Sequence, residues 1–253
     1  LALHGIDVNT PDLSDGTYVR DENGNPNGIL LESAEQSMYT ALPAWTEAQM
    51  KTAAARGVEI ANSFGITAMK EASTNAQQSK TWFQLDQEGK LNAHIATTMR
   101  ASDGHRDDVL DYDSFDQRRD KFKSENVYTD FIKIYMDGVP TASRSAAMLA
   151  DYAGVDSSDP TAKGMLHLSL DLLTRDLIEL DKRGYTVKIH TAGDRSVRVA
   201  LDAIEATRLA NGDSGLRHEL AHAGFIDAAD IPRFKTLQAV ADLSPYLWHP
   251  SPI

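Results

Sequence analysis

From Thr46 onward the chain alternates between two spacings of apolar residues. The stretch TEAQMKTAAARGVEIANSFG, residues 46–65, carries them at helical spacing, with Thr46 as an N-cap candidate, Glu47 in the first turn and Gly65 as a stop. A strand-like ITAMKEA follows at 66–72. The alternation then recurs, with strand candidates at 94–100, 130–138, 186–193, 218–224 and 238–244. Helix candidates lie between them at about 75–89, 114–125, 169–183, 194–210 and 227–236, the last two opening at Asp194 and Asp227.

Strands alternating with helices predict a parallel sheet covered by helices, either doubly wound or closed as a (β/α)8 barrel. No Gly-rich phosphate loop follows any strand, which counts against nucleotide binding. Polar residues stand at the carboxyl ends of four strands, where a barrel collects its chemistry. The expected fold is an incomplete TIM-type barrel of the α/β class, with about six of the eight strands in this chain. Residues 18–32, YVRDENGNPNGILLE, read as a β-hairpin with a long loop. The chain thus divides into an N-terminal segment, 1–45, peripheral to the barrel, and a partial barrel, 46–253.

Size does not choose between one large domain and two small ones, since 253 residues with 42% apolar content suit either. Charge narrows the partners. Twenty-five Lys and Arg against 37 Asp and Glu leave a net charge of -12, which opposes nucleic acid and anionic membrane surfaces alike. There is no cysteine, so disulfides, thiolate ligands and a Cys nucleophile are excluded. With no apolar run long enough to span a bilayer and no signal-peptide pattern, a soluble, cytoplasmic protein is expected. The chain begins at Leu1 without a methionine and ends on HPSPI soon after a strand-like run, so a fragment of a longer protein is expected.

Lys133, flanked by isoleucines in FIKIY, is the least ordinary residue, because an ammonium in a strand buried on both faces is costly unless paired or chemically altered. Three roles suit it: a paired structural cation, which the residues alone rank first, a Schiff-base nucleophile, or a carbamylated lysine serving as an anionic metal ligand. His190 in VKIHTAGDRS and His222 in HELAHAG each close a later strand, and neutral imidazoles facing one point are what zinc or a similar ion needs. His218 lies four residues before His222, so period-two alternation aims both the same way. Asp194 reads first as the cap of the following helix and second as a group orienting a ligand. Arg144, on a loop after the Lys133 strand, suits a substrate carboxylate or plain solvent about equally. His4, His94, His105, His167 and His249 have no comparable setting and receive no role.

The blocks GIDVNTPDLSDGTYVRDENGNPNGILLE, FIKIYMDGVPTASRSAAML, VKIHTAGDRSVRVALDAIE and RHELAHAGFIDAADIPRF resemble the YtcJ-like branch of the metal-dependent amidohydrolase superfamily. The resemblance runs over nearly the whole chain in order, most specifically around His190 and His222. It implies a (β/α)8 barrel with a small β-sandwich, one or two divalent metals, zinc first among them, and hydrolysis of amide or N-formyl C–N bonds in a small-molecule substrate. Carried over residue by residue, it makes Lys133, His190 and His222 metal ligands. Lys133 and His190 are also expected to be catalytic, and the residues' own settings add Arg144 as substrate-binding and Asp194 and His218 as supporting groups. The family's first-strand His-x-His pair and last-strand aspartate, a ligand and proton shuttle, have no counterpart here, and Ala221 stands where the family usually has glutamate.

For the full-length parent the resemblance therefore implies metal-activated water attacking a carbonyl while the aspartate carries the proton to the leaving amine. This chain alone is expected to bind metal weakly or not at all and to hydrolyse no amide at a useful rate. Two rivals stand beside this reading. One is a Schiff-base barrel lyase using Lys133, with His190 handling protons. The other is a non-catalytic barrel fragment that binds ligand, or pairs with a second copy across the gap as a homo-oligomer.

Overall fold

The structure is a computed structural model and describes residues 1–13, 16–39, 42–101, 106–141 and 143–244. His105 and His249 lie outside the described residues. After a short 3-10 turn at Ala2–His4 come β1 (Gly16–Arg20), β2 (Pro26–Glu32), α1 (Ser33–Tyr39), α2 (Glu47–Ser63), β3 (Ala68–Thr74), α3 (Ala76–Gln87) and β4 (His94–Arg100). Then follow α4 (Tyr112–Phe122), β5 (Val127–Tyr135), α5 (Leu170–Lys182), β6 (Thr186–Thr191), α6 (Asp194–Asn211), β7 (Glu219–His222), α7 (Ile231–Thr236) and β8 (Val240–Leu243).

Strands β3 to β8 form one six-stranded sheet in chain order, and every pairing is parallel. Each β-to-β connection from β3 to β8 passes through a helix, as parallel neighbours require. Thr46 caps α2 as the sequence predicts, with its hydroxyl accepting from the Gln49 N–H and the Gln49 side chain returning to the Thr46 N–H. The hairpin β1–β2 is a separate antiparallel sheet.

The six-stranded sheet is strongly curled. Lys70 on β3 pairs with Glu219 on β7, and its Nζ also stands 4.0 Å over the Phe131 ring of β5. Along a flat sheet, four strand steps of about 4.8 Å would keep β3 and β7 roughly 19 Å apart. Side chains that meet across that span require the sheet to close toward a barrel, and six strands in chain order make an incomplete one.

Period-two alternation sorts the strands into two faces. Ile132, Ile134, Val187, Ile189 and Leu220 are essentially fully buried and belong to one core with Leu173, Leu177 and Leu180 of α5 and Val197, Leu201 and Ile204 of α6. The alternate positions, Lys133, Tyr135, Lys188, His190, Glu219 and Asp242, carry the polar groups that meet inside the curl. The barrel interior is therefore charged while the helix-facing layer is apolar.

Two predicted elements shrink for local reasons. The strand at 218–224 stops at His222, because His222 and Ala223 have φ of 72° and 42°, which no extended strand continues. The helix expected from Asp227 starts only at Ile231, since the Asp227 carboxylate instead accepts from the Ala229 N–H in a local turn. Among the described residues no helix is long and apolar enough to cross a membrane.

Candidate functional site

Lys133 on β5, His190 on β6 and His222 on β7 come together at the carboxyl end of the curled sheet. Lys133 and His190 share the inner face, Lys133 in register with Lys188 and Tyr135 with His190. His222 is in register with Thr191, whose side chain belongs to the opposite face, so regular alternation would send its ring away from His190. Its φ of 72° breaks that alternation. The two imidazoles meet edge to face, with ring centroids 4.7 Å apart. A non-glycine residue held in the left-handed region costs about 1–3 kcal/mol, and such strain gathers at functional sites.

A hydrogen bond sets the tautomer of His190. The Gly138 carbonyl can only accept, so at 2.9 Å from His190 Nε2 it places the proton on Nε2 and leaves the Nδ1 lone pair outward of that bond. His222 Nδ1 lies 3.0 Å from the Ser244 hydroxyl. Burial, reinforced by the Lys133 charge, lowers the His190 pKa to about 4. Burial, with the neighbouring His190 and Lys133, lowers His222 to about 4 as well. Both rings are thus neutral at neutral pH, the form that ligates metal.

Lys133 departs from the role ranked first for it, that of a paired structural cation. It is 3% exposed, and among the described residues no carboxylate forms an ion pair with its ammonium. Its Nζ stands instead 4.7 Å over the Tyr135 ring, whose own neighbour is the His190 ring at 5.6 Å. Burial, then the nearby Lys188 charge, brings the Lys133 pKa down to about 7. The paired cations of this interior are Lys70, on Glu219, and Lys188, two residues before His190, which bridges Glu219 at 3.0 Å and Asp242.

His218 does not support His222 as alternation suggested. It is wholly buried on the helix side of the sheet, accepting from the Val187 N–H at Nδ1 and meeting Asp181 of α5 at 3.1 Å through Nε2. The positive φ at His222 is again the reason, because it separates the directions of two residues that a regular strand would align. Asp194 is not the cap of α6 either. Gly193 occupies the N-cap, and the Asp194 carboxylate accepts from the Leu149 N–H at 2.7 Å, tying α6 to the loop after β5. Gly193 has ordinary φ, and what it provides is space, since a Cβ there would sit 2.0 Å from the Ala147 carbonyl oxygen. Arg144 is exposed on the same loop with φ of 52°.

Sequence reasoning missed Asp137. This carboxylate, 1% exposed and just past the end of β5, accepts from the Ala147, Ala192 and Gly193 N–H groups at 2.9–3.0 Å and from the Ser196 hydroxyl at 2.7 Å. From just beyond β5 it ties the β6 exit, on which His190 depends, to the first turn of α6. Burial pushes its pKa up, against the pull of those four donors. Its signal was the MDG triplet at 136–138, an aspartate followed by glycine at a strand's carboxyl end.

The arrangement is therefore a wall of one half-barrel carrying two neutral imidazoles and a buried, easily deprotonated amine. Two imidazoles suit a divalent cation as partial ligands, but among the described residues no group of three or more His, Cys, Asp or Glu could hold a metal ion.

Comparison with known proteins gives this geometry a context. The chain is 25% identical over 254 residues to YtcJ of Bacillus subtilis (strain 168), an amidohydrolase by name, covering 97% of this chain and 44% of that protein. It is 27% identical over 238 residues to the N-substituted formamide deformylase of Arthrobacter pascens, covering 87% of this chain and 40% of that protein. The fold matches a metal-dependent hydrolase of Pyrococcus horikoshii OT3 with a TM-score of 0.65 at 21% identity, over 92% of this chain and 43% of that one. The chain thus spans less than half the length of the curated relatives it matches. The model of the amidohydrolase family matches residues 1–252, and the chain belongs to that family.

Proposed function

We propose that this chain is part of a metal-dependent hydrolase acting on carbon–nitrogen bonds of amide or N-formyl type in small molecules. The observation that carries the reading is the meeting of His190 and His222, two neutral imidazoles drawn to one point by a strained backbone at the mouth of the curled sheet. The formamide deformylase among the relatives supports the choice of bond. His190 and His222 would hold a divalent metal, zinc before others, with the remaining ligands supplied from outside the described residues. A metal held there supplies Lewis acidity toward a carbonyl oxygen and lowers the pKa of water.

The chain's own residues prepare the place. Gly138 fixes the His190 proton on Nε2, and Asp137 anchors the segment after His190. Lys133 stands ready as a neutral amine or, once carbamylated, as an anionic ligand. Arg144 is a substrate-binding arginine over the mouth, and the Asp194 contact with Leu149 holds the loop that carries it. The test is release of amine from N-formyl and N-acetyl amines with zinc added, by this chain alone and by a polypeptide extending it to the relatives' length. Turnover is expected only from the extended form and should be lost on His190→Ala. Turnover that survives that change contradicts the reading.

One observation favours a second reading. A buried lysine lacking a carboxylate ion pair among the described residues and titrating near neutrality is also a competent Schiff-base nucleophile. Borohydride trapping of a carbonyl compound on Lys133 distinguishes this reading from the first.

A further inference from the structure

The N-terminal hairpin does more than flank the barrel. Glu32, the last residue of β2, has φ of 54°, a strained conformation that turns the chain where β2 gives way to α1. Its carboxylate reaches the loop after β5, more than a hundred residues away in sequence. There Oε1 accepts from the Ser143 hydroxyl at 2.6 Å and from the Ser145 hydroxyl. Ser145 in turn closes the turn that follows Gly138, with its Oγ accepting from the Val139 N–H at 3.0 Å and its own N–H donating to the Val139 carbonyl at 3.0 Å.

Gly138 sits directly under this cluster. A Cβ on it would stand 2.1 Å from Ser145 Oγ and 3.0 Å from Glu32 Oε1, so hydroxyl and carboxylate both press against its bare Cα. The Gly138 carbonyl is the group that accepts from His190 Nε2. An unbroken line of contacts therefore runs from the hairpin carboxylate through two serines to the carbonyl that orients an imidazole of the site. The Glu32 charge is also felt at His190, where it opposes the effect of burial.

We propose that Glu32 is a positioning residue for His190: through Ser143 and Ser145 it holds the Gly138 carbonyl where it receives the His190 Nε2–H, and so keeps the Nδ1 lone pair available to a cation. The functional consequence rests on the proposed function, but the positioning itself does not. It makes the hairpin a working part of the site, because a hairpin out of place would leave His190 free to turn.

The experiment uses the whole chain, labelled with 15N at histidine and free of metal, and follows the His190 Nε2–H by NMR. In the unaltered chain that proton should mark a single tautomer and exchange slowly with water. Glu32→Ala should speed its exchange by about tenfold, the factor that loss of one hydrogen bond implies, while the amide spectrum stays folded. Glu32→Gln, whose side-chain oxygen still accepts from both serines, should keep slow exchange. Should Glu32→Ala fail to fold, the Ser143→Ala, Ser145→Ala pair tests the same line with the hairpin carboxylate intact and should give the same acceleration. Unchanged exchange in a folded Glu32→Ala chain or in the serine pair, or equal acceleration in Glu32→Gln, overturns the proposal. Because no metal is present, a chain that shows this effect yet never binds zinc refutes only the proposed function.

Discussion

Replacing Asp137 by alanine should destabilise the chain by about 3–5 kcal/mol, enough to threaten folding, although Asp137 lies on no regular element. Its carboxylate is the acceptor for three backbone N–H groups and one hydroxyl, all buried with it. Those donors come from the loop after β5, the exit of β6 and the first turn of α6, so one side chain joins three segments. The substitution removes a buried charge, which is favourable, but strands donors that no water can readily reach. Desolvated donors outweigh the relieved charge because Asp137 had its hydrogen bonds made. Urea unfolding of the alanine variant measures the loss. A change below about 1 kcal/mol, the middle of the range for point substitutions in general, would mean that these bonds are not formed in solution.

Lys133→Met should stabilise the chain near neutral pH, and the gain should shrink as pH rises. Burial and Lys188 depress the Lys133 pKa from 10.5 to about 7, with the carboxylates of Asp242, Asp137 and Glu219 facing it from β8, the β5 end and β7 and only partly offsetting them. A folded-state pKa below the unfolded value means that the unfolded chain binds more protons between pH 7 and 10.5, so stability rises with pH across that window. Below about pH 7 the full penalty applies, on the order of 5 kcal/mol, and methionine, of similar length and no charge, removes it. The check is the difference in unfolding free energy between the two chains at pH 7 and pH 10, which cancels every titration they share. A difference independent of pH would show that the ammonium is stabilised in place.

The two faces of the sheet explain how much of this was legible in the sequence. Ile132, Ile134, Val187 and Ile189 alternate with Lys133, Lys188 and His190, and that alternation, repeated between helical segments, specifies parallel strands with an apolar outer face. The strands follow chain order, as a barrel requires and a doubly wound sheet does not, and connectivity alone left that choice open. Spacing could not reveal the backbone sign change at His222, which aims that ring at His190 and leaves His218 on the helix side. Nor could it separate Lys133 from Lys188, because which lysine finds a carboxylate depends on register: Lys188 stands opposite Glu219 on β7, whereas Lys133 stands opposite Lys188. Asp137 and Glu32 act through contacts made far along the chain, Asp137 with the start of α6 and Glu32 with Ser143 and Ser145, so the MDG triplet could mark Asp137 as a candidate but no local pattern names the partners of either.

The central claim is that His190 and His222 form one cation-binding point. Zinc titration of the 15N-histidine chain tests it most directly. The His190 and His222 ring signals should move together along one saturation curve, weak enough that a mild chelator reverses it, while those of His94 and His218 stay in place. His190→Ala should remove the response of His222 as well. Ring signals of His190 and His222 that do not move at excess zinc, or that saturate independently of each other, would contradict the account.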